Sequence, residues 1–212
     1  MKPRILFLIL ISAFVACKQG PSGSQTSSPA ATAPEPAATD APLTQAWAAE
    51  GLKTPEAVCY DPLNDVLYVS NINEGPGEKD NNGFISRLSP EGKILSKEWV
   101  TGLSAPKGMA ISNGNLYVSD LTDLVEINIA EGKITQRFNA PKAQFLNDVA
   151  SDAAGNIYIS DSGTGEIYRL NKGKLEVWVK NAAIQGPNGL FIKDNSLLVG
   201  VESKILALDL ET

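Results

Sequence analysis

The sequence predicts an all-β fold, a β-propeller in which about three and a half four-stranded blades of an expected six are present. Two observations predict it: a repeat of about 40 residues, and four short strand-forming runs within each repeat. The clearest element reads LYVSN at 67–71, LYVSD at 116–120, IYISD at 157–161 and LLVGV at 197–201. A second element precedes each of these by about eleven residues and reads TPEAVCYD, APKGMAIS, FLNDVASD and GPNGLFIK.

The third copy of the repeat shows the four strands of a blade best. Its runs VASD, NIYIS, EIYRL and LEVWV are rich in β-branched and aromatic residues and are separated by AAGN, DSGTG and NKGK, which favour turns. No amphipathic helix of useful length is predicted after residue 51. A β-sandwich with accidental similarity is the alternative, but three elements that recur in the same order favour the propeller.

The repeats divide the folded part, residues 44–212, into blades at about 52–104, 105–144, 145–185 and 186–212. The fourth copy stops at LDLET, where its Gly-Lys turn is expected. Because each blade of a ring covers its neighbours, we expect a truncated sequence. An open or dimeric fragment is the alternative, and it would expose large apolar patches.

The N-terminus has the pattern of an export signal. Lys2 and Arg4 precede an apolar run at residues 5–16, which is too short to span a bilayer. The run ends in FVAC at 14–17, which resembles a bacterial lipobox with Phe14 in place of the usual Leu. The resemblance implies a signal peptide at 1–16 and a lipidated Cys17 as the mature N-terminus. Ordinary signal cleavage, or a chance cysteine, is the alternative.

A low-complexity segment follows the predicted lipidation site. Residues 18–43 contain no aromatic residue and are dominated by Pro, Ala, Ser, Thr and Gly, so they cannot bury enough apolar area to fold. We therefore expect residues 17–43 to be a disordered tether on the lipid anchor. The predicted location is the cell envelope, on the periplasmic side of a membrane or at the cell surface.

Composition narrows the classes of function. The net charge of -6 disfavours nucleic acid as a partner. The 212 residues contain no histidine, which excludes Ser-His-Asp and Cys-His catalysis and the common zinc sites within them. Chemistry in this chain must therefore use carboxylates, amides, hydroxyls or lysine.

Polar residues begin the predicted innermost strand of each blade, where strands from different blades meet at one rim of the central channel. These positions hold Glu56, Lys107, Asn147 and Asn188, and Asp148 follows Asn147. Carboxylate and amide oxygens form a site for a hard cation such as Ca²⁺, Mg²⁺ or Mn²⁺.

The same motifs resemble the gluconolactonase and regucalcin (senescence marker protein) family of six-bladed propellers with a central divalent metal. TPEAV, FLNDV and GPNGL match the family's Glu, Asn-Asp and Pro-Asn-Gly motifs in order. The resemblance implies that Glu56, Asn188 and Asn147 are metal ligands, with Ca²⁺ as the first expectation. It also implies that Asn147, with Asp148 and Lys107 at the same rim, contacts a lactone or ester substrate. The family's remaining Asp, the candidate catalytic residue, is expected beyond Thr212.

Two departures keep a second class of function open. Phe145 stands where enzymes of the family often carry an Arg, and an insertion at 71–83 adds Asn73, Glu74, Lys79 and Asp80 to the rim. These departures favour a non-enzymatic propeller that binds a protein or glycan. At residue level, Glu56, Asn147 and Asn188 could simply bind backbone groups where each blade begins. We interpret Asn71, Asp120 and Asp161, which end the second strands, as turn caps.

Overall fold

The structure is a computed structural model that describes residues 44–211. Fifteen β-strands and no helix occur in this part of the chain. Accordingly, none of the described residues belongs to a helix able to cross a membrane. The predicted signal peptide, Cys17 and the tether lie outside the described residues.

The strands form four antiparallel sheets that follow one another along the chain. Blade 1 contains β1 (Pro55–Asp61), β2 (Val66–Asn71), β3 (Gly83–Leu88) and β4 (Ile94–Leu103). Blade 2 contains β5 (Pro106–Ser112), β6 (Asn115–Asp120), β7 (Asp123–Asn128) and β8 (Lys133–Asn139). Blade 3 contains β9 (Leu146–Ser151), β10 (Ile157–Asp161), β11 (Glu166–Asn171) and β12 (Lys174–Lys180). Blade 4 contains β13 (Leu190–Lys193), β14 (Ser196–Val201) and β15 (Lys204–Asp209).

Each sheet is a meander in which every strand pairs with the next strand in sequence. The Gly-Lys element makes the turn between the third and fourth strands, and Gly92 and Gly173 have φ values of 82° and 79° there. Glycine adopts this left-handed conformation without a Cβ clash. The first strands β1, β5, β9 and β13 contact one another in succession. The predicted all-β propeller architecture is confirmed.

The core lies between the blades, because each sheet packs one face against the next sheet. Met109 and Val149 occupy equivalent positions on β5 and β9 and are buried against the preceding blade. Each such side chain contributes about 1.5–3 kcal/mol when fully buried. Val58 holds the equivalent position on β1 but is 65% exposed, because no described blade precedes it. On blade 4 the opposite face is open, and Phe191 is 63% exposed.

Aromatic side chains of the outermost strands complete these interfaces. Trp99, Phe138 and Trp178 each join one of the three inter-blade clusters. The ring of Trp99 lies 4.9 Å from that of Tyr68, and the ring of Trp178 lies 5.0 Å from that of Tyr158. These contacts confirm the repeat at the level of tertiary packing.

Candidate functional site

The candidate site residues lie in β-bulges at the start of the innermost strands. In each of blades 1, 2 and 3 the pairing of the first and second strands is interrupted at the equivalent place. The residues that leave the ladder are Glu56–Ala57, Lys107–Gly108 and Asn147–Asp148. Bulges change the direction of side chains and are common beside functional sites. The fold therefore gives these pairs the same special geometry in three successive blades.

Serine hydroxyls of the second strands replace the interrupted backbone pairing. The Ser70 hydroxyl accepts a hydrogen bond from the N–H of Ala57 at 3.0 Å, and the Ser160 hydroxyl accepts one from the N–H of Asp148 at 2.9 Å. Ser160 also donates to the carbonyl of Asn188 in blade 4 at 2.8 Å, and Ser119 donates to the carbonyl of Asn147 in blade 3. The hydroxyls thus satisfy the bulges and join neighbouring blades.

Blade 4 has a glycine in place of this serine. Its backbone closes the gap directly, with Asn188 N–H donating to the Gly200 carbonyl at 2.9 Å and Gly200 N–H donating to the Gly189 carbonyl at 2.9 Å. Asn188 and Gly189 therefore both oppose the single residue Gly200, the same two-against-one arrangement as in the other blades.

The side chains of Glu56, Asn147 and Asn188 make no hydrogen bond or ion pair with any residue in the range 44–211. Asn147 is only 8% exposed, whereas Glu56 and Asn188 are exposed. The Asn147 amide atoms are not among the fully buried polar atoms that lack a partner, so the amide keeps access to solvent at the rim. The interpretation that these three side chains bind backbone where each blade begins finds no supporting contact.

Electrostatics connects Glu56 with two other predicted residues. Partial burial raises the pKa of the Glu56 carboxyl; the positive charge of Lys107 opposes this increase, and the negative charge of Asp148 adds to it. The three side chains belong to three different blades. The structure therefore brings Glu56, Lys107 and Asp148 within electrostatic range of one another at the rim.

Asp148 lies between blades 2 and 4. Its Oδ1 accepts a hydrogen bond from the N–H of Val149 at 2.9 Å, and its Oδ2 accepts one from the N–H of Leu190 at 2.7 Å. A Cβ placed on Gly108 would lie 2.3 Å from Oδ1, so only glycine fits opposite this carboxylate. Burial raises the pKa of Asp148, and the two hydrogen bonds oppose that increase. The carboxylate predicted to contact substrate thus also links blade 3 to blade 4 through a hydrogen bond.

Lys107 is enclosed at the same rim. Its Nζ donates to the carbonyls of Pro76 at 3.1 Å and Ala105 at 3.0 Å and lies 4.3 Å from the centre of the Phe145 ring. The residue is 2% exposed, and this burial lowers the pKa of its ammonium group, while Glu56 and Asp120 act in the opposite direction. Lys107 therefore places a buried positive charge beside Glu56.

The insertion after β2 folds over this rim. It is joined to the start of blade 1 by the N–H of Asn73, which donates to the Lys53 carbonyl at 3.1 Å, and to blade 2 by the contact of Pro76 with Lys107. Among its polar candidates, Lys79 lines a cavity of about 170 Å³ together with Asp120 and Arg137. Three exposed carboxylates of the insertion have oxygens within 4.8 Å of one another: Glu74, Glu78 and Asp80.

The residues that end the second strands hold the loop that leads into their own blade. Asn71 Oδ1 accepts from Lys53 N–H at 2.9 Å, Asp120 Oδ1 from Ala105 N–H at 2.8 Å, and Asp161 Oδ1 from Phe145 N–H at 2.9 Å. The interpretation of these residues as caps is confirmed. Asp120 is further neutralised by Arg137 at 3.2 Å.

Sequence reasoning missed the serines and the role of Pro76. The serines were visible as the fourth residue of LYVSN, LYVSD and IYISD, and the glycine that replaces them stands in LLVGV. The contact of Pro76 had no comparable signal, because the insertion has no counterpart in the other repeats.

The donor set fits a hard divalent cation. Glu56 offers carboxylate oxygens, and Asn147 and Asn188 offer amide oxygens, which are the ligand types that Ca²⁺ and Mg²⁺ take in proteins. The Asn147 amide reaches solvent and makes no hydrogen bond to a described residue, so its oxygen is open to such a ligand. The buried ammonium group of Lys107 is the feature that opposes binding of a cation at this rim.

The chain is similar in fold to solved β-propeller proteins. Virginiamycin B lyase from Staphylococcus aureus matches at 18% identity and a TM-score of 0.55, covering 69% of this chain and 48% of that one. A chain of the nidogen/laminin complex matches at 20% identity and a TM-score of 0.58, covering 76% of this chain and 62% of that one. The extracellular domain of a hybrid two-component system from B. thetaiotaomicron matches at 15% identity and a TM-score of 0.58, covering 78% of this chain and 25% of that one.

These similarities define the class of protein as a β-propeller, and at such identities they show the fold alone. The chain spans less than two thirds of each of these solved structures. No protein-family model matches the sequence, and no curated protein does. The class includes an enzyme and extracellular domains among its solved members.

Proposed function

We propose that this chain binds a divalent cation at the channel rim, Ca²⁺ in the first place and Mg²⁺ or Mn²⁺ as alternatives, and that the site hydrolyses a lactone or ester. The observation that carries the proposal is that Asn147 lies in a bulge equivalent to those of Glu56 and Lys107 and that its amide makes no hydrogen bond to a described residue. The motif resemblance to gluconolactonase-like propellers supports it.

In this proposal Glu56, Asn147 and Asn188 hold the cation through oxygen atoms. A bound divalent cation supplies Lewis acidity, which polarises a lactone or ester carbonyl and stabilises negative charge on its oxygen. Asp148 keeps the bulge of blade 3 in place against Leu190 and Gly108, so its main contribution is to position Asn147. Each Asp148 oxygen retains a free lone pair that can accept a hydrogen bond from a substrate hydroxyl.

Hydrolysis is tested with the full chain and a panel of lactones and esters, before and after chelation of divalent ions. The proposal expects turnover that is lost on chelation, restored by Ca²⁺, Mg²⁺ or Mn²⁺, and absent in Glu56→Gln. The exposed Glu98, which has no hydrogen bond or ion pair within residues 44–211, offers a matched control in Glu98→Gln. Hydrolysis that persists in the metal-free protein contradicts the proposed chemistry.

The second candidate is a binding propeller for a protein or glycan, and one observation favours it. The Pro76 carbonyl and the Phe145 ring enclose Lys107, so part of the predicted substrate surface is covered by the insertion. A nidogen/laminin complex among the structural neighbours is consistent with a protein ligand. If the panel shows no turnover, glycan arrays and protein pull-downs with the full chain, each compared with a variant lacking residues 74–80, test this candidate.

The lipobox-like FVAC at 14–17 supports a cell-envelope lipoprotein anchored through Cys17. The extracellular propeller domain among the structural neighbours agrees with a location outside the cytoplasm. A lactone or ester substrate would then be met at the membrane surface, at the end of a tether of about 26 residues.

A further inference from the structure

Lys107 differs in charge from its counterparts in the other blades. The equivalent bulge positions hold Glu56 and Asn147, and blade 4 has Asn188 there. The candidate cation site therefore has a positive side chain at one of the positions where a ligand would be expected.

The ammonium group of Lys107 is held in place. Two of its three protons are donated to the carbonyls of Pro76 and Ala105, and the Phe145 ring lies beneath it at 4.3 Å. At 2% exposure the group is shielded from water and dissolved salt. Its charge is therefore held at the rim by contacts with two carbonyls and one aromatic ring.

Glu56 is the acidic group that this charge meets on blade 1. The first strands β1 and β5, which carry the two residues, pack against each other. Lys107 is also the only one of the described charged groups that acts attractively on Glu56. Glu56 and Lys107 together add no net charge to the rim, which leaves Asp148 as the acidic group of the cluster.

We propose that Lys107 is a resident countercharge that weakens the affinity of the rim for a divalent cation. This inference rests on the proposed function, because it concerns the same cation. Protein sites tune their affinity for Ca²⁺ through the number of charges among the ligands and their rigidity. A fixed positive charge near Glu56 reduces the effective ligand charge and repels the incoming ion.

A cation site weakened in this way would respond to millimolar Ca²⁺, which is the range of Ca²⁺ affinities found in extracellular modules. The insertion contributes to this property, because the Pro76 carbonyl is one of the two acceptors that fix the ammonium group.

The test is calorimetric titration of the full chain with CaCl₂ for the wild type, Lys107→Met and Lys107→Gln. Methionine keeps the contact with Phe145, and glutamine keeps one donor for the Pro76 or Ala105 carbonyl. Both neutral variants are expected to bind Ca²⁺ at least about tenfold more tightly than the wild type. Lys107→Arg retains the charge and is expected to bind as weakly as the wild type. Lys79→Met removes an exposed charge from the insertion and is expected to stay within about twofold.

Three results overturn the inference or its basis in distinguishable ways. If the wild type binds Ca²⁺ and both folded neutral variants bind it as weakly as the wild type or more weakly, the proposed countercharge role of Lys107 is wrong, while the cation site stands. If neutral variants and Lys107→Arg all gain affinity together, loss of the Pro76 contact rather than of charge is responsible, and the inference is again wrong. If neither the wild type nor any folded variant binds Ca²⁺, Mg²⁺ or Mn²⁺, the proposed cation site fails and the inference fails with it.

Discussion

Asp148 of blade 3 accepts a hydrogen bond from the backbone N–H of Leu190 in blade 4, with 2.7 Å between Oδ2 and the nitrogen. The other oxygen accepts from Val149, so both carboxylate oxygens bind backbone amides. Charge-assisted bonds of this kind are about twice as strong as neutral ones. The residue is therefore as much a part of the packing between blades as of the candidate site.

Asp148→Asn is expected to lower the stability of the propeller by about 1–3 kcal/mol, because one amide N–H of the backbone then faces the NH₂ group of asparagine. Urea denaturation of the full chain measures this, with Asp194→Asn as a control, since Asp194 is exposed in the turn before β14 and has a φ of 52° that asparagine tolerates. An Asp148→Asn protein with wild-type stability would show that the carboxylate is free for ligand alone.

The serine of blade 3 gives a second prediction about how the blades are joined. Ser160→Ala removes the acceptor for Asp148 N–H and the donor to the Asn188 carbonyl at once, and is expected to cost about 1–3 kcal/mol. The exposed Ser203 in the turn after β14 makes no side-chain hydrogen bond with a described residue, so Ser203→Ala is the matched control. Equal urea midpoints for the two variants would contradict the proposed role of the hydroxyl.

The reactivity of Cys59 reports on the interface between blades 1 and 2. Burial, with a contribution from Asp61, raises the pKa of its thiol to about 11, so the group stays protonated and poorly reactive at pH 8. In a Cys17→Ser background, Cys59 is expected to react slowly with a disulfide reagent when folded and at the rate of a free thiol in denaturant. The rate of reaction in the folded protein should rise as the pH approaches the raised pKa of the thiol. A fast reaction of the folded protein at pH 8 would contradict the burial of Cys59 at this interface.

The lipoprotein proposal is tested at Cys17. Expression of the full chain in a bacterial host is expected to give a membrane-associated protein that incorporates labelled fatty acid, and Cys17→Ser is expected to lose the label and leave the membrane fraction. Cys59→Ser, which leaves the lipobox intact, serves as the control. Equal labelling of the wild type and Cys17→Ser would show that FVAC is not a lipidation signal.

The repeat predicted the blades because its information is local. Alternating apolar residues and turn-forming glycines recur in each copy, and they suffice to place four strands and their turns. The site was harder to predict because its geometry depends on long-range register. At the Glu56 bulge the Ser70 hydroxyl accepts a hydrogen bond from Ala57 N–H, and the sequence TPEAV does not reveal it. Nor does the sequence FLNDV reveal that Asp148 contacts Leu190.

Lys107 is a second residue whose position, but not whose surroundings, could be predicted from the sequence. Its position at the rim follows from the repeat, but its enclosure depends on Pro76 in an insertion that occurs in one blade only. The predicted substrate contact is therefore, in the structure, a buried ammonium group that interacts first with protein carbonyls and the Phe145 ring. Local sequence specifies which residue stands at the rim, and tertiary packing decides what can reach it.

The convergence of oxygen ligands from separate blades is tested most directly by counting bound ions. In equilibrium dialysis against millimolar Ca²⁺, the range expected for this site, the full chain should hold one ion per chain in excess of the free Ca²⁺. Glu56→Gln and Asn147→Leu should each retain none, while Glu98→Gln retains one. Equal Ca²⁺ content in all four folded proteins would contradict the site formed by Glu56, Asn147 and Asn188.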